Sequence, residues 1–320
     1  MTGPMLTRDL PLDIVRRCYA EEVRAVAGLR SRALAEAFAV VPREHYLGPG
    51  PWQLYKPVLM TYVPTETADP RELYHDVLVG IDLTKTLNNG QPSGLAAWMD
   101  HLELQSGERL VHVGCGVGYY TAVMAHVVGA TGHVTAVEID PVLAERARAN
   151  LNHLPQVEVL CADGVTHDAG FVDAIFVNAG VTHPQTLWLE RLNANGRMVV
   201  PITASFTVAG AATSVPAALG MSGMGQMLRV RRVADGYEAA FVSPVGIFSS
   251  PTGRDPDYNT ALAQRFRDPL SGGRRPTIRT LRREPHTADE SCWLHGHGFC
   301  LSTREVMRSP SVAPASNSGS

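Results

Sequence analysis

The stretch "VHVGCGVGYY", residues 111–120, places three glycines at alternate positions directly after an apolar run. Glycines spaced in this way let the backbone turn tightly and lie close to a ligand, as in the first strand–helix turn of nucleotide-binding sheets. A dinucleotide fingerprint requires its third glycine at position 119, where this chain has Tyr119. The narrower spacing of Gly114, Gly116 and Gly118 predicts a ligand that brings no pyrophosphate to the helix N-terminus.

Polar residues follow the next three apolar runs. "HVTAVEID" carries Glu138 twenty residues after the last loop glycine, where an acidic side chain accepts ribose hydroxyls. "VEVLCADGV" carries Asp163 and Gly164, which suit an adenine amino group and its ring, and "DAIFVNAGV" ends in Asn178 beside the reacting centre. This order predicts a site for S-adenosylmethionine (SAM), with S-adenosylhomocysteine as product, formed by Gly114, Cys115, Gly116, Tyr119, Glu138, Ile139, Asp163, Gly164 and Asn178.

The stretch "TLNNGQPSG" carries three amide side chains directly before a predicted helix. Methyl transfer from a sulfonium is an in-line displacement, so the protein mainly aligns the acceptor. Asn88, Asn89 and Gln91 either hold the acceptor through hydrogen bonds or serve as turn residues before a helix starting near Pro92. A hydroxyl or amine acceptor needs a base, for which His183 is the candidate, although a packed loop histidine is the favoured interpretation.

Alternating strand and helix patterns are expected to position these residues. From about residue 93, short β-branched runs alternate with helical segments, which predicts an α/β fold with a parallel, doubly wound sheet. Two amphipathic helices are expected within residues 11–40, with a break near Gly28. Further on, the pattern predicts a hairpin around Ala234-Asp235-Gly236, a short helix at 258–266 and a strand-like run at 292–302.

Composition and length describe a globular chain with additions to one large domain. It has 320 residues, 45% hydrophobic content and a net charge of −3, which gives no bias toward nucleic acid. We expect N-terminal helices and a cap at 1–92, a SAM-binding core at 93–249, a C-terminal extension at 250–302 and a disordered tail at 303–320. The uncharged segment 203–224 suits either a lid or a plain connection.

Two clusters in the extension contain residue types that can bind a metal ion or a nucleic acid. Cys292, His295, His297 and Cys300 include metal-ligand types, but strand alternation separates the cysteines from the histidines, so we expect no metal. The arginine cluster, comprising Arg274, Arg275, Arg279, Arg282 and Arg283, is interpreted as a solvated face without the aromatic residues that stack on nucleic-acid bases.

Scattered cysteines and the early sequence indicate a cytoplasmic chain. The five cysteines are an odd number and lack a disulfide pattern. The first residues lack the apolar core of a signal peptide, and no stretch of eighteen apolar residues is present, so we expect no membrane association.

Over about residues 31–249 the chain resembles the protein-L-isoaspartate O-methyltransferase family. The segments "AFAVVPREHYLGP", "YHDV", "CADG", "DAIFVNAGV", "LNANGRMVVPI" and "GQMLRV" are similar to family motifs, as is the glycine loop. The resemblance implies a Rossmann-like seven-stranded class I SAM-methyltransferase sheet with a hairpin ending. It also implies transfer of a methyl group from SAM to a carboxylate or other oxygen of a peptide or protein.

One position departs from the family pattern. The family carries a serine near the transferred methyl, and Gly90 stands there in this chain, with Ser93 following Pro92. This departure motivates an alternative, in which the same fold acts on a small biosynthetic metabolite as acceptor. A SAM-binding protein without catalysis is a third possibility, which the intact ligand residues argue against.

Overall fold

The computed structural model describes residues 10–205, 222–267 and 277–306. Most of the uncharged segment, two of the clustered arginines, Arg274 and Arg275, and most of the C-terminal tail lie outside the described residues. The predictions of a lid or connection at 203–224 and of a disordered tail at 303–320 therefore stay predictions.

Three helices form the N-terminal part. They are α1 (Leu12–Ala27), α2 (Arg32–Val40) and α3 (Arg43–Leu47). The expected break lies at Gly28, which takes a left-handed φ of 64° and ends α1. Ser31 begins α2 by accepting a hydrogen bond from the backbone of Leu34 at 3.2 Å. The prediction of two amphipathic helices with a break between them is confirmed.

A cap of short strands follows and leads into the core. Its elements are β1 (Gln53–Lys56), β2 (Thr61–Pro64), β3 (Gly80–Asp82), β4 (Leu87–Asn88) and α4 (Pro92–Asp100). The first two strands pair antiparallel, as do the second two. Helix α4 starts at Pro92, whose fixed φ suits the first turn of a helix.

The core alternates strand and helix as the sequence pattern predicts. In chain order the elements are β5 (Arg109–Val113), α5 (Tyr119–Val128), β6 (His133–Glu138), α6 (Pro141–Leu151), β7 (Val157–Cys161), β8 (Val172–Val177), α7 (Thr186–Arg191) and β9 (Leu192–Ala204). Strands β5 to β9 pair in parallel. Their carboxyl ends therefore meet along one edge, where open α/β sheets bind ligands.

The C-terminal part adds antiparallel strands to this sheet. Its elements are β10 (Gly223–Val233), β11 (Gly236–Ile247), α8 (Pro256–Arg267), β12 (Thr280–Arg282), β13 (Cys292–Gly296) and β14 (Phe299–Ser302). The predicted hairpin joins β10 to β11. The single strand expected at 292–302 is instead a hairpin, because Gly298 adopts a φ of 76° and the chain reverses between β13 and β14.

Among the described residues the main sheet has ten strands, in the order β13-β14-β12-β11-β10-β9-β8-β5-β6-β7. The seven strands from β11 to β7 make up the class I methyltransferase sheet that the resemblance implies, with the antiparallel hairpin at its end. The extension lengthens it by three strands, a difference from the expected seven that follows from β12 pairing with β11.

Apolar residues fill both faces of the sheet. One cluster packs α1, α2, α4 and α5 on the first face, and it includes Phe38, Met99 and Met124. The second cluster joins core strands to the extension through residues such as Trp188 and Phe299. No helix in the described part of the chain combines the length and apolar character needed to cross a bilayer.

Candidate functional site

A cavity of about 500 Å³ lies at the carboxyl ends of β5, β6, β7 and β8. This volume is within the range of about 300–1,000 Å³ that is usual for small-molecule sites. The predicted site residues that line it are Asn88, Asn89, Gln91, Gly114, Cys115, Gly116, Glu138, Ile139, Asp163, Gly164 and Asn178. The structure therefore brings together residues from five separate stretches of sequence.

The glycine loop forms one side of this cavity. Gly116 has a φ of 57°, and a side chain there would point into open space. Its backbone nitrogen donates to Glu138 Oε2 at 2.8 Å, while Asp140 donates to Glu138 Oε1 at 3.1 Å. Burial raises the pKa of Glu138, and these backbone donors oppose the rise. The carboxylate is thus fixed against the loop with lone pairs left to accept from a ligand.

Asp163 is held by a segment distant in sequence. Its Oδ1 accepts from the backbone of Val165 at 2.9 Å and from the hydroxyl of Thr252 at 2.9 Å. The segment containing Thr252 follows β11 and runs beside the loop after β8, where Ser250 donates to the carbonyl of Gly180 at 2.8 Å. Residues 244–252 consequently form a wall of the cavity.

The opposite wall is fixed by Asp76, which belongs to the "YHDV" segment. Its carboxylate accepts from the backbone and hydroxyl of Ser93, at 2.8 and 2.6 Å, and from the amide of Gln91 at 2.9 Å. The side chain of Gln91 is therefore engaged at the start of α4. The segment is held in turn by the buried Arg43, which donates to the carbonyls of Leu73, His75 and Val77.

Asn89 and Gly90 lie between these walls. The Asn89 side chain is buried, with 9% exposure, and its amide nitrogen has no partner among the described residues. Gly90 has a φ of 76°, and a Cβ there would lie 2.8 Å from Leu95 Cδ2. Tyr120 donates from its hydroxyl to the Gly90 carbonyl at 3.0 Å. A buried donor without a partner is costly unless something accepts from it, so this position suits an oxygen-bearing ligand.

Tyr119 does not line the cavity, so its assignment to the ligand site is wrong. Its hydroxyl lies 3.3 Å from that of Tyr19 in α1, and its ring packs against Phe38 and Tyr46. Adjacent residues on a helix point about 100° apart, so only one of the two tyrosines can face the ligand. That residue is Tyr120.

His183 is also absent from the cavity wall. Its ring stacks on Phe299 at a centroid distance of 5.3 Å and meets Tyr258 edge-on at 5.0 Å. Burial lowers the pKa of His183. The alternative of a base at this position is therefore wrong, and the favoured interpretation of a packed histidine agrees with the aromatic cluster that residues from the extension form around the ring.

Sequence reasoning missed several lining residues. Trp98 lines the cavity and donates from its indole nitrogen to Ser243 Oγ at 2.9 Å. The segment 244–252 is the other omission: its first residues end β11, and the run of Ser, Pro, Thr and Gly at 249–253 indicates only a loop. Gly164 was expected to admit an adenine ring, but a Cβ there would also lie 2.5 Å from Val113 Cγ1, so packing alone requires the glycine.

The structure shows the arrangement of both clusters in the extension. The expectation that strand alternation separates Cys292 and Cys300 from His295 is wrong, because an irregularity in β13 brings all three together with His286. Within the described residues the remaining clustered arginines pair with carboxylates: Arg279 with Glu305, Arg282 with Glu284 and Arg283 with Glu190. The interpretation of these arginines as a solvated face stays a prediction, and the three ion pairs show that carboxylates lie beside them.

Comparison with known proteins identifies relatives over much of the chain. The profile of the family "Protein-L-isoaspartate(D-aspartate) O-methyltransferase (PCMT)" matches residues 20–213. A protein-L-isoaspartate O-methyltransferase 2 of Archaeoglobus fulgidus is 34% identical over 195 residues, covering 59% of this chain and 79% of that protein. A protein-L-isoaspartate O-methyltransferase of Thermotoga maritima is 34% identical over 175 residues, and this chain spans 50% of its length.

Solved structures show the same fold. A protein-L-isoaspartate O-methyltransferase superposes with a TM-score of 0.57 and 22% identity, covering 79% of this chain and 69% of that one. A putative member from Plasmodium falciparum, solved in complex with S-adenosyl-L-homocysteine, gives a TM-score of 0.54 and 17% identity, covering 73% and 97%. Since the family profile covers more than half of the sequence, the chain belongs to the protein-L-isoaspartate(D-aspartate) O-methyltransferase family of SAM-dependent methyltransferases.

Proposed function

We propose that this protein transfers the methyl group of SAM to a carboxylate oxygen of a peptide or protein, the class of acceptor that its relatives' names indicate. The observation that supports it best is a single cavity lined both by Glu138 and Asp163 and by Asn89, whose side-chain amide nitrogen has no partner among the described residues. A cofactor and an acceptor can then meet without leaving the same enclosed space.

The cofactor residues follow from the cavity lining. Glu138 has both oxygens fixed by backbone donors and faces the cavity, which suits two ribose hydroxyls. Asp163, oriented by Thr252, suits the amino group of adenine. Cys115 lines the same region, and burial raises the pKa of its thiol, so it stays protonated and takes no part as a nucleophile.

For this reaction the protein mainly has to position the acceptor oxygen and the methyl group of SAM. When bound, SAM supplies an electrophilic methyl group on its sulfonium sulfur. An ionised carboxylate attacks that carbon without a general base. The absence of His183 from the cavity wall is therefore compatible with this reaction. Asn89 donates a hydrogen bond to one oxygen of the acceptor carboxylate. The second oxygen is thereby aligned with the methyl group that it receives. The apolar side chains of Leu95 and Val245 exclude water from the cavity.

The experiment combines labelled SAM with two acceptors. Methyl groups should transfer to an isoaspartyl peptide and not to its aspartyl isomer, and the product ester should hydrolyse in mild base. Binding of S-adenosylhomocysteine without transfer to either peptide, together with turnover of a small metabolite fraction, would instead support the small-molecule alternative. Binding without any turnover would support a non-catalytic role.

Matched variants connect the result to the cavity. Glu138→Gln and Asp163→Asn each remove a charged acceptor, so we expect the dissociation constant for S-adenosylhomocysteine to rise by about tenfold or more. Asn89→Ala should lower the turnover of the peptide while leaving that dissociation constant unchanged. Asn152→Ala, at an exposed position after α6, is the control and should change neither.

We also propose a role for each part of the chain and a cellular location for the protein. The parts 1–92, 93–249 and 250–302 are proposed to act as cap, SAM-binding core and extension. A cytoplasmic location is supported by five cysteines that are free thiols in the structure, since such thiols persist in reducing compartments. Cell fractionation with an antibody to the protein would test the location.

A further inference from the structure

Four side chains with metal-ligand atoms converge in the C-terminal extension, remote in the sheet order from the ligand cavity. They are His286, in the loop after β12, Cys292 and His295 on β13, and Cys300 on β14. One ligand atom from each lies within 4.8 Å of the others. The methyl-transfer site uses none of them.

The register of the β13–β14 hairpin explains the convergence. His295 lies directly opposite Cys300, and Cys292 lies opposite Ser302, two residues further along β14. A regular strand would place Cys292 and His295 on opposite faces, because their separation is odd. The pairing skips one residue between Cys292 and Leu294, and this bulge turns both side chains to the face that Cys300 occupies.

His286 is oriented by a backbone group. Its Nδ1 lies 2.8 Å from the carbonyl oxygen of Glu284, so Nδ1 carries the proton and Nε2 presents a lone pair. That Nε2 is 3.5 Å from Cys292 Sγ. A histidine whose other ring nitrogen donates to a carbonyl is the usual arrangement around protein-bound zinc. The sulfur of Cys292 in addition accepts from the backbone nitrogen of Asp289 at 3.3 Å.

We propose that His286, Cys292, His295 and Cys300 bind one Zn²⁺ ion in a closed, tetrahedral, structural site. Two thiolates and two imidazoles form a ligand set that zinc prefers. Zinc–ligand bonds of about 2.0–2.3 Å give neighbouring ligand atoms separations of about 3.3–3.8 Å. The observed 3.5 Å between His286 and Cys292 is already in that range. Binding releases the two thiol protons to solvent as both sulfurs become ligands.

The ion would join an exposed loop to the hairpin at the edge of the sheet. The loop between β12 and β13 is largely exposed, and β13 is the outermost strand of the ten-stranded sheet. Four ligands from that loop and both strands of the hairpin fix the edge of the sheet. All four coordination positions are taken by protein, so the site has a structural role and leaves no position for a substrate.

The test uses the full chain, purified without chelators in a phosphine reductant. We expect about one zinc per chain by elemental mass spectrometry, and a chelator should lower the melting temperature. Cys292→Ser and His295→Ala should each bind less than about a tenth of an equivalent, and chelator should not change their melting temperatures. His295 is exposed, so its variant keeps the fold. The control variants Cys161→Ser and His297→Ala alter exposed residues outside the cluster and should retain the metal.

Two results would overturn the proposal. One is a reduced, folded wild-type protein that takes up no zinc from a small excess. The other is a Cys292–Cys300 disulfide, seen as the loss of two hydrogens in the intact mass, in protein handled without oxidant. Calorimetry with S-adenosylhomocysteine on the same samples keeps this test separate from that of the proposed function, since the ligand cavity contains none of the four side chains.

Discussion

Gly90 stands where the family resemblance places a serine, and its backbone explains why a side chain is absent. Its φ of 76° lies in the left-handed region, and Leu95 occupies the space that a Cβ would need. The carbonyl of Gly90 is held by Tyr120. The loop therefore has no room for a side chain at this position, and the adjacent Asn89 carries a buried polar side chain.

Restoring the serine should consequently cost stability. We expect Gly90→Ser and Gly90→Ala each to lower the free energy of unfolding by about 1–3 kcal/mol, because both add a Cβ at the same strained position. Denaturant titration measures this change. A serine variant as stable as the wild type, or one clearly more stable than the alanine variant, would show that the loop accommodates a hydroxyl.

At the scale of elements, the chain after β11 forms part of the cavity beside the residues that we propose hold the cofactor. The hydroxyl of Thr252 orients Asp163, which lies in the loop after β7. Thr252→Val removes this hydrogen bond at nearly constant volume. We expect the dissociation constant for S-adenosylhomocysteine to rise by about three- to tenfold, measured by calorimetry. Thr260→Val, which removes a hydroxyl bonded only within α8, is the control; an equal effect in both would contradict the assignment.

Strand β5 contains a titratable group that makes stability depend on pH. His112 is fully buried, with Nδ1 2.9 Å from the hydroxyl of Thr121, and burial lowers its pKa to about 3. The unfolded chain binds a proton at an ordinary pKa of about 6.5, whereas the folded chain does not. Stability is thus fully present above pH 6.5 and declines as pH falls from 6.5 toward 3.

A variant isolates this contribution. The free energy of unfolding of the wild type should fall between pH 6 and 4 by about 1.4 kcal/mol per pH unit more than that of His112→Gln. Carboxylates contribute equally to both proteins and cancel in the difference. Parallel pH profiles in the two proteins would mean that His112 titrates normally in the folded state.

Local motifs allowed the cofactor end to be predicted, and long-range contacts explain the failures. Glu138 ends β6 and Asp163 lies in the loop after β7, both behind apolar runs that are visible in the sequence, and parallel pairing places the ends of these strands together. The alternative of His183 as a base failed because Phe299, distant in sequence, covers its ring. The sequence analysis rejected the cysteine–histidine cluster as a metal site because strand alternation assumes a regular strand. The sequence contains no signal for the irregularity beside Trp293.

At the scale of the whole molecule, the extension and the core both contribute strands to the ten-stranded sheet, and they share apolar packing on it. Trp293 on β13 is 8% exposed and contacts Phe241 of β11 and Phe266 of α8, at centroid distances of 4.9 and 5.8 Å. The same apolar cluster continues to Val111 in β5, the middle strand of the parallel part of the sheet. The extension is therefore expected to unfold together with the core.

Trp293→Ala tests this cooperation. We expect the free energy of unfolding to fall by about 3–5 kcal/mol, with far-ultraviolet and near-ultraviolet circular dichroism still changing in a single transition. Val58→Ala, at a side chain that is 95% exposed, should change stability by less than about 0.5 kcal/mol. Two separated transitions would indicate that the extension folds independently.

Two of the four tryptophans contact the ligand cavity or a residue of its wall. Trp98 lines it, and the indole nitrogen of Trp188 donates to the carbonyl of Gly164 at 2.8 Å. Indole emission depends on the polarity around the ring, so occupancy of the cavity should change the intrinsic fluorescence. Adding S-adenosylhomocysteine should shift the emission of the wild type, and Trp98→Phe should lose most of that shift. The protein thereby contains a natural optical probe, and its affinity for candidate ligands can be followed without a dye.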